Sequence, residues 1–132
     1  MKGLLGKILR KLRIDNNEYL KDMAEKTGVS VSYLSAVENE TKKISESLIN
    51  KIIDIYKLDK GQEDELRVAS IEANKEVSIN TDKLDDSKID LTYHFARYVD
   101  RISPEAVKKI KDVLKEEIDD WSYCFTTFNE RN

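Results

Sequence analysis

One cysteine, one histidine, one proline and four glycines are all that this 132-residue chain holds of the residue types on which much protein chemistry depends. Cys124 has no partner for an internal disulfide and no second cysteine with which to begin a zinc site. His94, in Leu-Thr-Tyr-His-Phe-Ala-Arg, reads as a helix-surface or edge residue. Metal binding and histidine-based nucleophilic catalysis therefore lack parts, and so few glycines leave no phosphate-cradling loop. Neither a metal nor a cofactor is expected. Carboxylates are plentiful, yet no motif gathers them around a cleft, so an enzyme is not expected either. Long apolar runs are absent too, which excludes a membrane span. At the N-terminus Gly3-Leu4-Leu5-Gly6 is broken at once by Lys7 and Arg10-Lys11, so no signal-peptide core forms and cytoplasmic residence is the expectation.

What is present is charge, 37% of all residues, beside 39% hydrophobic content, the balance of a globular chain. The net charge of −3 is unevenly spread. Residues 1–57 carry 11 Lys and Arg against 8 Asp and Glu, while residues 58–132 carry 12 against 18. The first part is basic and the second acidic, and affinity for phosphates depends on the local face rather than on the total.

The basic part contains the most informative stretch, residues 19–39. It reads as a short helix, a tight turn at Gly28 and a second helix capped by Ser30, with Met23, Ala24, Val29, Leu34 and Val37 pointing inward. Ala24 is small enough for another helix to cross closely. The outer face of the second helix (Val31, Ser32, Tyr33, Ser35, Ala36) is dominated by small residues where a solvated helix would carry Lys and Glu. Such a face suits close approach to DNA in the manner of a helix-turn-helix, whose second helix enters the major groove. A plain two-helix corner in an all-α core satisfies the same pattern.

Around this stretch, Leu5, Ile8, Leu9 and Leu12 predict a helix over roughly residues 4–13, ended by the turn-rich Ile14-Asp15-Asn16-Asn17-Glu18. Ser45 begins another helix, with Leu48, Ile49, Ile52, Ile53 and Tyr56 as its stripe, and Asp59 with Gln62 forms a capping box for a fifth helix to about Lys75. Glu76 to Thr81 alternates apolar and polar, a brief strand signature, and Asp82 to Asp90 reads as a linker. Leu91, Phe95, Tyr98, Val99 and Ile102 mark a sixth helix. Ser103-Pro104 starts a seventh, carried by Val107, Ile110, Leu114, Ile118 and Trp121. Trp121, Tyr123, Phe125 and Phe128 leave an aromatic tail.

The reading is thus all-α. Residues 1–75 form a five-helix DNA-binding domain and residues 76–90 a strand and linker. Residues 91–132 form a two-helix hairpin with the aromatic tail, too small to bury its own face and expected to serve dimerisation.

Residues 4–75 resemble the Cro and lambda-repressor type of helix-turn-helix, the XRE family, in the order Leu12-Arg13, Met23-Ala24, Gly28-Val29-Ser30, Leu34, Val37-Glu38-Asn39. The region around Phe95-Ala96-Arg97 is similar to tails appended to phage and mobile-element regulators. The resemblance implies a lambda-repressor-like fold in which Val31, Ser32, Tyr33 and Ala36 read base edges. It implies that Ser30 and Asn39 contact phosphates, joined by the exposed Lys21, Lys42 and Lys43, and that Arg13 and Glu38 form a buried ion pair. Three positions depart from the family pattern. Leu20 replaces the usual Gln, Val31 is apolar and favours a thymine methyl, and Glu40 replaces the usual Gly.

Two functions follow from the resemblance. The first is a dimeric repressor of phage or mobile-element type, binding double-stranded DNA at a palindromic operator and occluding a promoter. The second is an antitoxin or other interaction module that binds a protein partner through its fold or its C-terminal half.

Overall fold

A computed structural model describes residues 3–118. They divide into two compact units, the first running to Val77 and the second starting at Ser78. The first contains α1 (Leu4–Asp15), α2 (Leu20–Thr27), α3 (Val31–Glu38), α4 (Glu46–Ile55) and α5 (Lys60–Asn74).

Each helix contributes residues at helical spacing to one core. Leu5 and Leu9 come from α1, Met23 and Ala24 from α2, Leu34 and Val37 from α3, Leu48 and Ile52 from α4, and Leu66 and Ala69 from α5. The helix starts follow cap chemistry. The Ser30, Ser45 and Asp59 side chains accept the backbone N–H groups of Tyr33, Leu48 and Gln62, and Gln62 returns the bond to the Asp59 N–H at 3.0 Å. At α2 the Asp22 carboxylate accepts the Tyr19 N–H at 2.7 Å.

The helix ends are less ordinary. All five are followed by a left-handed residue, and only one of these is glycine: Gly28 (φ 73°) after α2. Asn17 (56°), Glu40 (60°), Lys57 (50°) and Lys75 (56°) do the same work elsewhere, and a non-glycine residue there gives up roughly 1 kcal/mol. A chain this poor in glycine stops its helices at some cost in stability.

The second unit contains α6 (Asp86–Tyr98), a single 3₁₀ turn (Val99–Arg101) and α7 (Pro104–Glu117). Asp85 caps α6 through the Lys88 N–H at 2.9 Å, and Ser103 caps α7 through the Ala106 N–H at 3.1 Å, with Pro104 at the first helical position. His94 lies exposed on α6, its Nδ1 2.8 Å from the Asp90 carbonyl oxygen.

Several expectations are corrected. No strand forms among the described residues. Residues 76–81 stay irregular, with Val77 and Ile79 both exposed, because alternation alone gives a lone segment no partner for its backbone. The linker is shorter than residues 76–90, since α6 already begins at Asp86. Its acidic start, which reads as linker composition, is what a helix N-terminus favours. That helix ends at Tyr98, and Ile102 is extended. Likewise α7 ends at Glu117. Among the described residues α6 meets the 3₁₀ turn after it without an extended contact to α7, and neither helix buries a residue. Two helices of 13 and 14 residues carry too little apolar surface to close a core alone. Trp121 and the aromatic tail lie outside the described residues. No helix among the described residues is long and apolar enough to cross a membrane.

Candidate nucleic-acid interface

The inner face of α3 is fixed by Leu34 and Val37, both fully buried, and this aims its first turn outward. Val31 is 46% exposed and Ser32 is exposed beside it, while Ala36, one turn on, is half-buried. Ser30 caps the helix, and no acidic residue lies in its first turn. The positive end of the α3 dipole is therefore not neutralised by its own side chains, which favours an approaching phosphate.

Behind α3, Arg13 from the last turn of α1 meets Glu38 from the last turn of α3. One guanidinium nitrogen donates to Glu38 Oε1 at 3.0 Å, and the other pairs with Oε2 and also lies 3.8 Å from Met23 Sδ. The side chains are 10% and 3% exposed, so the pair is desolvated and holds α3 to α1.

The loop between α3 and α4 is fastened from three directions. Tyr33 donates its hydroxyl to the Lys43 carbonyl at 3.0 Å and accepts the Ser45 N–H at 3.1 Å. The Asn74 amide, at the end of α5, bonds both the N–H and the carbonyl of Ile44 at 3.0 Å each. Thr41 closes α3 by donating to the Ala36 carbonyl through both its N–H (2.9 Å) and its hydroxyl (3.2 Å). The structure therefore places Tyr33 as a strut. Its hydroxyl is bonded inside the domain and its ring packs against the core.

The expected phosphate contacts divide in the same way. Lys21 in the first turn of α2, Ser30, Asn39 at the α3 C-cap and Lys42 in the fastened loop are all exposed. Lys43 instead pairs with Glu76 at 2.5 Å, which partly neutralises it. Leu20, where the family carries Gln, packs against the core. Glu40 turns its carboxylate against Gly3, where a Cβ would collide with it, and so sits at the start of α1.

Three features have no mark in the sequence. Lys51 of α4 brings its ammonium group to the Gly28 turn, 3.9 Å from where a Cβ there would lie, and only the packing of α4 on α2 reveals this. Asn74 reads as a helix-end residue with nothing to indicate its clamp. Glu18, in the turn after α1, is almost buried, pairs with Lys26 and accepts the Tyr56 hydroxyl at 2.6 Å. The Lys26 ammonium also lies 5.5 Å from the Tyr56 ring centre. Burial first, and then the bond to the Glu18 carboxylate, push the Tyr56 phenol well above its ordinary range.

Residues 7–61 match the helix-turn-helix family model, of the XRE type, which spans α2, α3 and their turn but fewer than half of the 132 residues. Neither a curated protein nor a solved structure matches the chain. The match supports a DNA-binding transcription regulator in general.

Proposed function

We propose that this helix-turn-helix protein is a dimeric repressor that occupies a palindromic operator and blocks a promoter. The reading is of a phage or mobile-element regulator that works in the cytoplasm by occupancy and not by catalysis. Lys21, Ser30, Asn39 and Lys42 fix the register on phosphates, with Lys51 beside the α2–α3 turn. Ser32 reads a base edge, and Val31 and Ala36 offer methyl contacts that favour thymine. A dimer sets two α3 helices about one DNA turn apart, roughly 34 Å.

The observation that supports this best is the first turn of α3: exposed, small in side chain, free of acidic residues and held rigidly from behind. Ser32→Glu places a carboxylate on that turn without touching the core. The variant should unfold at the wild-type temperature while losing binding to DNA from upstream of its own gene. A folded variant that binds normally would sink the assignment of α3.

A second reading, an antitoxin that neutralises a protein partner through its C-terminal half, is favoured by the uncovered apolar side chains of α6 and α7. A stable partner that copurifies in fixed ratio would select it.

A further inference from the structure

We propose that Glu76 is a resident stand-in for a DNA phosphate on Lys43, and that it restrains the domain's affinity for the DNA backbone for as long as the segment after α5 stays on the loop. The inference deepens the reading of a DNA-binding regulator and rests on it. Lys43 lies in the α3–α4 loop next to Lys42, and its ammonium group meets Glu76 Oε1 at 2.5 Å across 33 residues of chain. The two side chains are 61% and 57% exposed, so the place they share is open to an arriving polyanion. An ammonium group is a point charge that takes a carboxylate oxygen or a phosphate oxygen in the same way. The two acceptors therefore compete for one cation.

An exposed ion pair is usually weak because two long side chains must be ordered to make it. Here the two backbones are already in register. The Asn74 amide donates to the Ile44 carbonyl and accepts the Ile44 N–H, at 3.0 Å each, one residue from Lys43 and two from Glu76. Ile44 is itself buried in the core, and Tyr33 of α3 holds the Lys43 carbonyl at 3.0 Å. On the other side α5 ends in the left-handed Lys75 (φ 56°), which takes the chain out of the helix before Glu76. From Glu76 the backbone is irregular, and Val77 and Ile79 are exposed, so the pair can open without disturbing the core.

Closed, the loop offers phosphates Lys42 and a neutralised Lys43. Open, it offers two adjacent ammonium groups and loses a carboxylate that repels phosphates within a Debye length, about 10 Å at 0.1 M salt. The contact is to the backbone of DNA and not to a base, so it alters affinity and leaves sequence preference unchanged. The strength of phosphate binding is thus set by the chain that leads to the second unit.

Full-length wild type, Glu76→Gln, Lys43→Ala and the double variant should be titrated with DNA from upstream of the gene and with a scrambled duplex, over a salt series. All four should unfold at the same temperature, since both side chains are exposed. Glu76→Gln should bind both duplexes about two- to fivefold tighter, the range in which exposed pairs act, with a salt dependence steeper by about one counterion. The double variant should match Lys43→Ala in affinity and slope. Wild-type affinity and slope in Glu76→Gln would overturn the proposal. So would a gain that persists in the Lys43→Ala background, where it would come from the charge of Glu76 alone. A wild-type protein that binds both duplexes equally counts against the repressor reading, and the proposal is then decided on the scrambled duplex, where the same gain is expected. Failure of wild type and Glu76→Gln alike to bind either duplex would overturn both.

Discussion

Replacing Arg13 with Met removes the cation that pairs with Glu38 through both carboxylate oxygens, and leaves a carboxylate whose side chain is 3% exposed. Breaking a buried pair from one side costs roughly 3–5 kcal/mol, because the stranded charge keeps its desolvation penalty and loses its compensation. Domains are stable by about 0.05–0.15 kcal/mol per residue, so a unit of this size holds on the order of 4–11 kcal/mol in total. Arg13→Met should therefore consume about a quarter or more of it and bring the midpoint of urea unfolding sharply down. Glu38→Leu should cost a similar amount by stranding the guanidinium. The double variant Arg13→Met/Glu38→Leu removes both charges and fills the space with apolar atoms, so it should lie within about 2 kcal/mol of wild type or above it. The assay is urea unfolding of all four proteins, followed by NMR of the buried Leu9 and Ile52 methyl groups so that the second unit does not contribute. A coupling below about 1 kcal/mol, with both single variants near wild type, would refute the reasoning, since it would mean that water reaches the pair.

Two further outcomes follow from the site. Lys42→Ala should weaken binding to all DNA sequences about equally and lower the salt slope by about one counterion, whereas Lys43→Ala, already paired with Glu76, should change the slope less; salt titrations of both variants check this. Tyr56 should ionise later than the ordinary tyrosine value of 10.0 in a spectrophotometric titration. Its folded value is raised, so its contribution to stability is complete below pH 10 and declines as pH rises above it, and Tyr56→Phe should abolish that decline.

How far the sequence discloses the structure depends on whether a feature is local. The caps at Ser30, Ser45, Ser103 and Asp59–Gln62 and the turn at Gly28 each rest on one side chain and its nearest backbone, and each is legible. Left-handed Glu40, Lys57 and Lys75 are not, because tertiary packing imposes a conformation that their residue types disfavour. Around α3 the same division holds. The exposure of Val31 and Ser32 follows from helical periodicity, whereas the restraint of Tyr33 depends on a loop ten residues away and that of Lys43 on Glu76, 33 residues on. The alternation at Val77 and Ile79 misleads because period two describes a side-chain pattern and not a hydrogen-bonding partner. At Asp85 and Asp86 the reverse occurs, since residues that suit a helix N-terminus are also those that fill linkers.

The central claim, that this chain reads a DNA sequence through α3, is tested most directly by binding of the purified protein to DNA from upstream of its own gene and to a scrambled duplex, across a salt series. Tight binding to the native duplex, with a preference that persists as salt rises, is the predicted result. Weak binding, equal for both duplexes and lost at moderate salt, would mean that only phosphates are touched and would contradict the account.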